Sequence, residues 1–365
     1  MKILQLSAGR ERSVALTQDG SAYGWGAIKR LGATLPPGYP AELCTSNPTE
    51  IGHNRYAQPV PQLLNPSEPF ASIADGYVDT LGIRRSGEVM SCRPVVSQER
   101  GADRLSVAGL PQSQPQSITQ VALTESCGFA LHADGAVWSW GANVFGQLGR
   151  PNDALLEGPA AINNLGLISA LAAGHGHVLA LDRGGNVWTW GANGAGQLGR
   201  GTLQDSAAPM KVVLPARVKR IAAGDTHSFA LDEAGHLWAW GSNNFGQTGN
   251  AAAKYFAKPV RVKLDFPIAK FDAGMHYSVA TTAQGEVFAW GWNGMGQLGQ
   301  ESLAMSAKPL RVKQLANVNQ ISAGVGHVLV AGERGVFAWG DNRASACGNF
   351  PSVPVQVKPN RINLA

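Results

Sequence analysis

The chain has 365 residues, of which 44% are hydrophobic and 15% charged, with a formal net charge of +5. This composition is that of a globular protein and excludes a chain that is disordered throughout. The cysteines show neither CxxC spacing nor the density of a disulfide scaffold, which argues against a small zinc module or a disulfide-stapled domain; they are Cys44, Cys92, Cys127 and Cys347.

The first residues show no feature of a targeting or membrane segment. Residues 1–9 enter a repeated motif at once and contain no apolar stretch long enough for a secretory signal. No apolar run reaches the roughly eighteen residues of a transmembrane helix. We therefore expect a cytoplasmic protein, with export by a route that needs no signal sequence as the alternative.

A Trp-Gly pair marks each unit of an internal repeat. The series starts in the first copy, and in the second, degenerate copy Cys92 stands where the tryptophan is expected. From the third copy onward the pairs follow each other at intervals of 50 or 49 residues: Trp140-Gly141, Trp190-Gly191, Trp240-Gly241, Trp290-Gly291 and Trp339-Gly340. Repeats of this length indicate stacked supersecondary units that bury their apolar faces against each other.

Each unit predicts four short strands, most clearly in the fifth copy. An apolar stretch ends at Ala223-Gly224, and after a tight turn the residues alternate from Ser228 to Leu231. A hairpin turn and the strand 237–240 follow, and a loop leads to the fourth strand at 259–263. Four strands per unit and seven units predict an all-β, seven-bladed propeller that forms a single domain over residues 1–365.

Two segments interrupt the early copies. Residues 33–57 and 94–116 are insertions relative to the repeat, and the first is rich in proline. Long loops on a rigid scaffold commonly cover or bind something.

Basic residues recur in the predicted fourth strands, for example Arg261, Lys263, Arg311 and Lys313. They alternate with apolar residues, so each of these strands has one face in water. Such side chains protect an exposed edge strand from pairing with other chains. Because aromatic stacking platforms and known nucleic-acid modules are missing, no nucleic-acid partner is expected.

These motifs resemble the regulator of chromosome condensation repeat family. The resemblance rests on Ala173-Gly174 with His177, on the segment 190–199 (Trp-Gly-Ala-Asn-Gly-Ala-Gly-Gln-Leu-Gly), and on Pro259 with Val262. It covers nearly the whole chain. It implies a seven-bladed propeller whose ring is closed by pairing of the N- and C-terminal segments in one blade, and it implies work through protein–protein contacts on a propeller face.

Members of this family differ in function, so the fold alone does not choose among them. They include an ultraviolet-B receptor of plants, an exchange factor for the GTPase Ran and a secreted β-lactamase inhibitor. The receptor's tryptophans after Ala-Gly have no counterpart here, where Arg10, Tyr77, Glu125, His175, Asp225, Met275 and Val325 stand. The basic tail of the exchange factor is not seen, although nucleotide exchange itself needs no shared motif.

A histidine returns with the repeat at His177, His227 and His327, and Tyr277 takes its place in the sixth copy. A ring of histidines suggests a metal site. Arg12, Asp79 and Cys127 fill the same position elsewhere, however, and equivalent side chains of neighbouring blades lie too far apart to share one ion. We expect these histidines to hydrogen-bond nearby backbone, and we expect neither a metal nor a cofactor.

No constellation of an enzyme is visible. The glycine cluster 191–196 mimics a nucleotide-binding fingerprint, but it recurs in several copies after Trp-Gly and no helix follows it. The chain offers no paired nucleophile and base. We therefore expect no catalytic activity and no small-molecule substrate.

In a blade of this strand order, the turn after Ala-Gly and the loop after Trp-Gly emerge on one face. Variable positions gather there, and aromatic or methionine residues without a core role are typical anchors of an interface. Trp292 is the least expected, because its counterparts are alanine, serine or aspartate. The predicted protein-binding residues are Tyr77, Glu125, Phe145, His175, Asp225, Phe245, Met275, His276, Trp292, Met295 and Arg343.

The sequence thus predicts a non-enzymatic scaffold that binds a partner protein through this face. Guanine nucleotide exchange on a small GTPase is one alternative. The other is a structural subunit of a larger assembly or an inhibitor of a target enzyme.

Overall fold

The computed structural model describes residues 1–30, 49–52, 55–64, 68–76, 80–92, 95–96, 104–106, 110, 117–151 and 156–364. Within these residues the secondary structure consists of β-strands and turns, and they form seven antiparallel sheets. The predicted all-β, seven-bladed propeller is therefore confirmed. No helix in the described ranges has the length and apolar character needed to cross a membrane.

Blades 3 to 7 are regular four-stranded sheets in which strand order follows chain order from the inner to the outer strand. Their strands are, in blade 3, β11 (Ile118–Leu123), β12 (Cys127–His132), β13 (Val137–Ala142) and β14 (Leu156–Ala161); in blade 4, β15 (Ile168–Ala173), β16 (His177–Asp182), β17 (Val187–Gly191) and β18 (Ser206–Lys211); in blade 5, β19 (Val218–Ala223), β20 (His227–Asp232), β21 (Leu237–Ser242) and β22 (Tyr255–Arg261); in blade 6, β23 (Lys270–Ala273), β24 (Tyr277–Thr281), β25 (Val287–Trp292) and β26 (Met305–Arg311); and in blade 7, β27 (Val318–Ala323), β28 (His327–Gly332), β29 (Gly335–Asp341) and β30 (Val355–Ile362).

Blades 1 and 2 depart from this plan where the sequence carries its two additional segments. Blade 1 contains β1 (Ile3–Ala8), β2 (Arg12–Thr17), β3 (Ala22–Arg30) and β5 (Arg55–Leu63), with β4 (Thr49–Gly52) added outside β5 and β9 (Val95–Val96) paired in parallel with the end of β3. Blade 2 contains β6 (Phe70–Asp75), β7 (Thr80–Arg84), β8 (Val89–Cys92) and β10 (Arg104–Ser106).

The segment 94–116 therefore supplies the outer strand of blade 2, because β10 pairs with β8. The segment 33–57 contributes β4 and the start of β5 to blade 1. Its remaining residues, including Cys44, lie outside the described ranges.

The Trp-Gly tryptophans form the core between consecutive blades. Trp190, Trp240, Trp290 and Trp339 are fully buried. Each indole Nε1 donates to a backbone carbonyl of the preceding blade, at 2.7–2.9 Å; the acceptors are the carbonyl oxygens of Gln147, Gln197, Gln247 and Gln297. A buried indole N–H that lacked a partner would cost about 1–3 kcal/mol. The indole thus ties each of blades 4 to 7 to the preceding blade, which explains why the motif repeats strictly there.

An asparagine organises the loop that follows each Trp-Gly pair. In blade 6, Asn293 Oδ1 accepts from the backbone N–H of Leu298, and its Nδ2 donates to the carbonyls of Gln300 and Leu303. Gln297 Oε1 accepts from the backbone N–H of Met295. The same side-chain bonds recur in blades 3, 4 and 5. These loops are consequently rigid, and they carry the variable residues of the repeat. We call each such loop a shelf.

The ring closes differently from the expected pairing of the two chain ends in one blade, and that expectation is wrong. Apart from the two-residue strand β9, which joins the sheet of blade 1, each sheet is built from one continuous stretch of chain, and blades 1 and 7 only pack against each other. Trp25 Nε1 donates to the carbonyl of Ala346 at 2.8 Å, and the backbone N–H of Ala8 donates to Ser322 Oγ at 3.0 Å. Closure therefore uses the same indole contact as the other blade junctions.

The register of the strands defines two faces. In blade 5, Ala223 pairs with Ser228 and His227 pairs with Gly241, so the turn 224–226 and the loop 243–254 leave the same end of the sheet. We call this side, with its equivalents in the other blades, the loop face. The hairpins between second and third strands, such as 233–236, lie on the opposite side, which we call the hairpin face.

Candidate functional site

The centre of the loop face is the mouth of a small axial cavity of about 80 Å³. The Ala-Gly ends of the inner strands form its wall, from Ala8-Gly9 in blade 1 to Ala323-Gly324 in blade 7. His175, Asp225, Met275 and Val325 stand at its rim. The turns after the inner strands of blades 4 to 7 therefore line the axial cavity.

Three of the predicted residues form one contact chain across blades 3, 4 and 5, which we call the carboxylate–histidine bridge. His175 Nε2 lies 2.5 Å from Glu125 Oε2, and His175 Nδ1 lies 3.3 Å from Asp225 Oδ1. The side chains of Glu125 and His175 are 47% and 39% exposed, whereas that of Asp225 is 10% exposed. The bridge presents carboxylate charge to solvent beside the cavity mouth.

A second group of predicted residues meets at the junction of blades 5 and 6, and we call it the aromatic platform. The ring of Phe245 stacks on that of His276 at 5.1 Å between centroids, with 30° between the planes. Trp292 lies 6.1 Å from Phe245 and meets His276 edge-on at 6.3 Å. All three rings are partly exposed.

The pKa of His276 links the platform to the bridge. Burial lowers the pKa of His276, and the negative charge of Asp225 acts in the opposite direction. Asp225 therefore influences a ring of the platform while it contacts His175 of the bridge.

The remaining predicted residues are more scattered. Phe145 occupies in blade 3 the position that Phe245 has in blade 5, but it lies beside Gly176 and stays 47% exposed. Met295 is partly exposed on the shelf of blade 6. Arg343 in blade 7 makes a bidentate ion pair with Asp341 of its own loop, which uses its charge locally. Tyr77 lies outside the described residues.

Sequence reasoning missed several exposed apolar residues on this face. Tyr255 and Met305 begin the fourth strands of blades 5 and 6, where they pair with Ser242 and Trp292 and are 50% and 52% exposed. Val144 and Phe350 are also exposed in loops of this face. Their exposure could have been predicted from the sequence, because they stand at the start of a fourth strand or in a loop after Trp-Gly. At those positions no contact between blades requires an apolar side chain.

The repeated histidines are structural. His177 and His227 are fully buried, and their Nε2 atoms lie 2.9 and 3.2 Å from the hydroxyls of Ser228 and Ser278 in the next blade. His327 makes the equivalent contact to Ser13 across the ring closure, at 2.9 Å. The predicted hydrogen bond from these histidines to nearby backbone is therefore wrong, because the partner of each Nε2 atom is a serine hydroxyl of the next blade. Desolvation lowers the pKa of His177 and His227 to about 3 and that of His327 to about 4.

The geometry gives no support to a reaction centre. Within the described ranges, no group of three or more histidine, cysteine, aspartate or glutamate side chains is arranged to hold a metal ion. The two cysteines whose side chains are described, Cys127 and Cys347, are buried, and burial raises the pKa of both thiols. A protonated, enclosed thiol is a poor nucleophile.

The comparison with family models agrees with the motifs and the blade count. The model of the RCC1-like domain matches residues 41–365. This chain belongs to the RCC1-like domain family. The membership accounts for the propeller and its repeat.

This RCC1-like chain is similar to part of a much longer human protein in sequence, and to solved propellers in fold. It is 34% identical over 193 residues to the human protein named probable E3 ubiquitin-protein ligase HERC6, a match that covers 49% of this chain but only 17% of the human protein. Among solved structures, human WBSCR16 superposes with a TM-score of 0.78 at 23% identity over 94% of both chains. Prp20p of Saccharomyces cerevisiae, described as binding Gsp1p and histones, superposes with a TM-score of 0.71 at 20% identity over 88% of this chain and 80% of its own.

Proposed function

We propose that this RCC1-like propeller is a non-enzymatic interaction module that binds a partner protein through its loop face. The observation that carries the proposal is the aromatic platform. Phe245, His276 and Trp292 meet at the surface, whereas the tryptophans of the Trp-Gly pairs in blades 4 to 7 are buried between blades. Partly exposed aromatic rings on a rigid face are typical anchors of protein interfaces.

The scaffold suits this role because the loops of the face are held by buried side-chain bonds. The asparagine and glutamine contacts fix the shelves that carry Phe245, Trp292 and Met295. A partner that docks there has little backbone to order, so less of the contact energy is lost on binding. Tyr255 and Met305 extend the apolar area towards the outer strands.

The test is quantitative affinity capture from the source cells with three forms of the full chain. We expect proteins captured by the wild type to be lost from a Met275→Ala, Trp292→Ala double variant. They should be retained by Glu233→Gln, a matched change at an exposed site on the hairpin face. Equal capture by all three forms would show that another surface is used.

A second candidate is guanine nucleotide exchange on a small GTPase. The likeness to Prp20p, described as binding Gsp1p and histones, favours nucleotide exchange as the second candidate. The GTPase would then be the partner protein that binds the loop face. Release of a fluorescent guanine nucleotide from a panel of small GTPases measures this directly. Acceleration by the wild type but not by the double variant would support exchange, and unchanged release across the panel would remove it.

A further inference from the structure

The carboxylate–histidine bridge and the aromatic platform form one continuous surface across blades 3 to 6. Asp225 contacts His175 and lines the cavity rim beside Met275. Met275 directly precedes His276 in the chain, and His276 stacks on Phe245. The surface therefore changes from acidic near the axis to aromatic further out. Met275 stands between these two parts at the cavity rim.

The bridge keeps a negative charge in either protonation state of its histidine. A neutral imidazole has a single N–H and can donate to only one of the two carboxylates, whereas an imidazolium donates to both. The sum over Glu125, His175 and Asp225 is thus −2 or −1 in charge units, by simple addition of their formal charges. Because Glu125 is 47% exposed, part of this charge is open to a partner.

Two cations among the described residues of the loop face, Arg10 and Arg343, lie in blades 1 and 7, away from the bridge. Arg343 in blade 7 is paired with Asp341. Arg10 is exposed in blade 1, across the ring from blades 4 and 5, and is followed by Glu11. The acidic end and the aromatic end of the surface therefore call for complementary groups at fixed neighbouring positions on a partner.

We propose that the occupant of this surface is a protein segment in which an arginine or lysine lies next to an aromatic or large aliphatic residue. The cationic group pairs with Glu125 and the bridge, and a charge-assisted bond to a carboxylate is among the stronger contacts at an interface. The neighbouring apolar side chain lies on Trp292 and Phe245. The inference rests on the proposed function, since it names the chemistry of the partner that the loop face receives.

The experiment selects a random peptide library displayed on phage against the immobilised full chain and counter-selects against Trp292→Ala. The enriched peptides are then synthesised, and their dissociation constants are measured for the wild type, Trp292→Ala, Glu125→Gln and the control Glu233→Gln, all with matching melting temperatures. We expect a basic residue within one or two positions of an apolar one. Glu125→Gln and Trp292→Ala should each weaken binding about tenfold, the effect of losing roughly 1.4 kcal/mol, and Glu233→Gln should not.

The possible outcomes separate the two proposals. Enriched peptides that lack a basic residue, or that bind Glu125→Gln as well as the wild type, would overturn this inference and leave the loop face as the binding surface. If no peptide distinguishes the wild type from Trp292→Ala, both the inference and the proposed function fail. A binding constant that weakens with added salt, but only while Glu125 is present, would support the charge pairing.

Discussion

At the scale of single residues, the loop after Trp-Gly demands a backbone that only glycine adopts freely. The glycine five residues after the Trp-Gly pair has a positive φ, which is +75° at Gly146, +76° at Gly246 and +74° at Gly296. A Cβ on Gly246 would come within 2.7 Å of the backbone of Ala307 in the next blade. Blade 7 places Ser345 at this position with a φ of +64°, and its hydroxyl is buried without a hydrogen-bond partner.

Replacing Ser345 with glycine should therefore stabilise the protein. The left-handed conformation costs a residue with a Cβ about 1–2 kcal/mol, and the unsatisfied hydroxyl adds to this. The greater freedom of glycine in the unfolded chain takes back about 0.5–1 kcal/mol. We expect Ser345→Gly to raise the free energy of unfolding by about 1 kcal/mol, measured by urea titration.

The matched control is the reverse exchange in a regular blade. Gly246→Ser creates the strain of Ser345 and adds the close approach to Ala307, so it should destabilise by more than Ser345→Gly stabilises. If Ser345→Gly instead destabilised the protein, the serine hydroxyl would have to form a hydrogen bond whose stabilisation outweighs the backbone strain.

At the scale of the elements, the second strands of neighbouring blades are coupled in pairs. A histidine at the start of one strand contacts a serine of the next blade, as for His177 with Ser228 and His227 with Ser278. Blade 7 has Val328 at the serine position, and blade 6 then carries Tyr277, whose hydroxyl donates to the carbonyls of Gly324 and His327 instead. The column of histidines is interrupted where the acceptor is missing.

This coupling predicts a non-additive pair of substitutions. Tyr277→His should destabilise by about 2–4 kcal/mol, because it loses two buried hydrogen bonds and places a buried imidazole N–H against a valine. Adding Val328→Ser supplies the missing acceptor. The double variant should therefore be more stable than the sum of the single effects by about 1–2 kcal/mol in a double-mutant cycle. Strict additivity would show that the pairing in the other blades is only proximity.

The repeat was sufficient to predict the blades but not all of their contacts. The spacing of Trp190, Trp240 and Trp290 fixes the blade count because each indole bonds to the previous blade. The family resemblance predicted a blade shared by the two chain ends, whereas blades 1 and 7 are separate sheets. The approach of Glu125 to His175 could not be predicted, since it depends on how far apart neighbouring turns lie at the rim.

At the scale of the whole molecule, the buried histidines make stability depend on pH. Their folded pKa values, about 3 for His177 and His227 and about 4 for His327, lie below the ordinary value of 6.5. Between pH 4 and 6.5 the unfolded chain therefore binds more protons at these histidines than the folded protein does. The contribution of the buried histidines to the free energy of unfolding is complete above pH 6.5 and is lost as the pH falls. Desolvation raises the pKa of Asp272 from 3.8 to about 6, which acts in the opposite direction by one proton.

Near pH 5 the unfolded chain therefore binds about two protons more than the folded protein. This corresponds to a loss of about 3 kcal/mol in the free energy of unfolding for each pH unit of acidification. Urea titrations between pH 4.5 and 7 measure this slope. His227→Gln removes one titrating group and keeps a side-chain N–H for Ser278, so it should reduce the slope by about half. A slope that is unchanged in this variant would locate the acid sensitivity elsewhere.

Ring closure gives the last prediction at this scale. Because blades 1 and 7 are separate sheets, the step from the outer strand of blade 7 to the inner strand of blade 1 matches the other connections between blades. Residues 363–365 and 1–2 would span it, much as residues 212–217 span the step from β18 to β19. Joining the ends through a short glycine linker and reopening the chain between Pro215 and Ala216, which are both exposed, leaves all seven sheets intact.

We expect this permutant to fold and to melt cooperatively at or above the temperature of the parent chain, because the junction of blades 1 and 7 gains a covalent tie that limits its opening. The junction of blades 4 and 5 keeps its own tie through Trp240 Nε1 and the carbonyl of Gln197. Scanning calorimetry compares the two, with a second permutant reopened in the hairpin 233–236 as the control that divides blade 5. If the control melted as high as the first permutant, the individual blades would not be the units of stability that their uninterrupted sheets indicate.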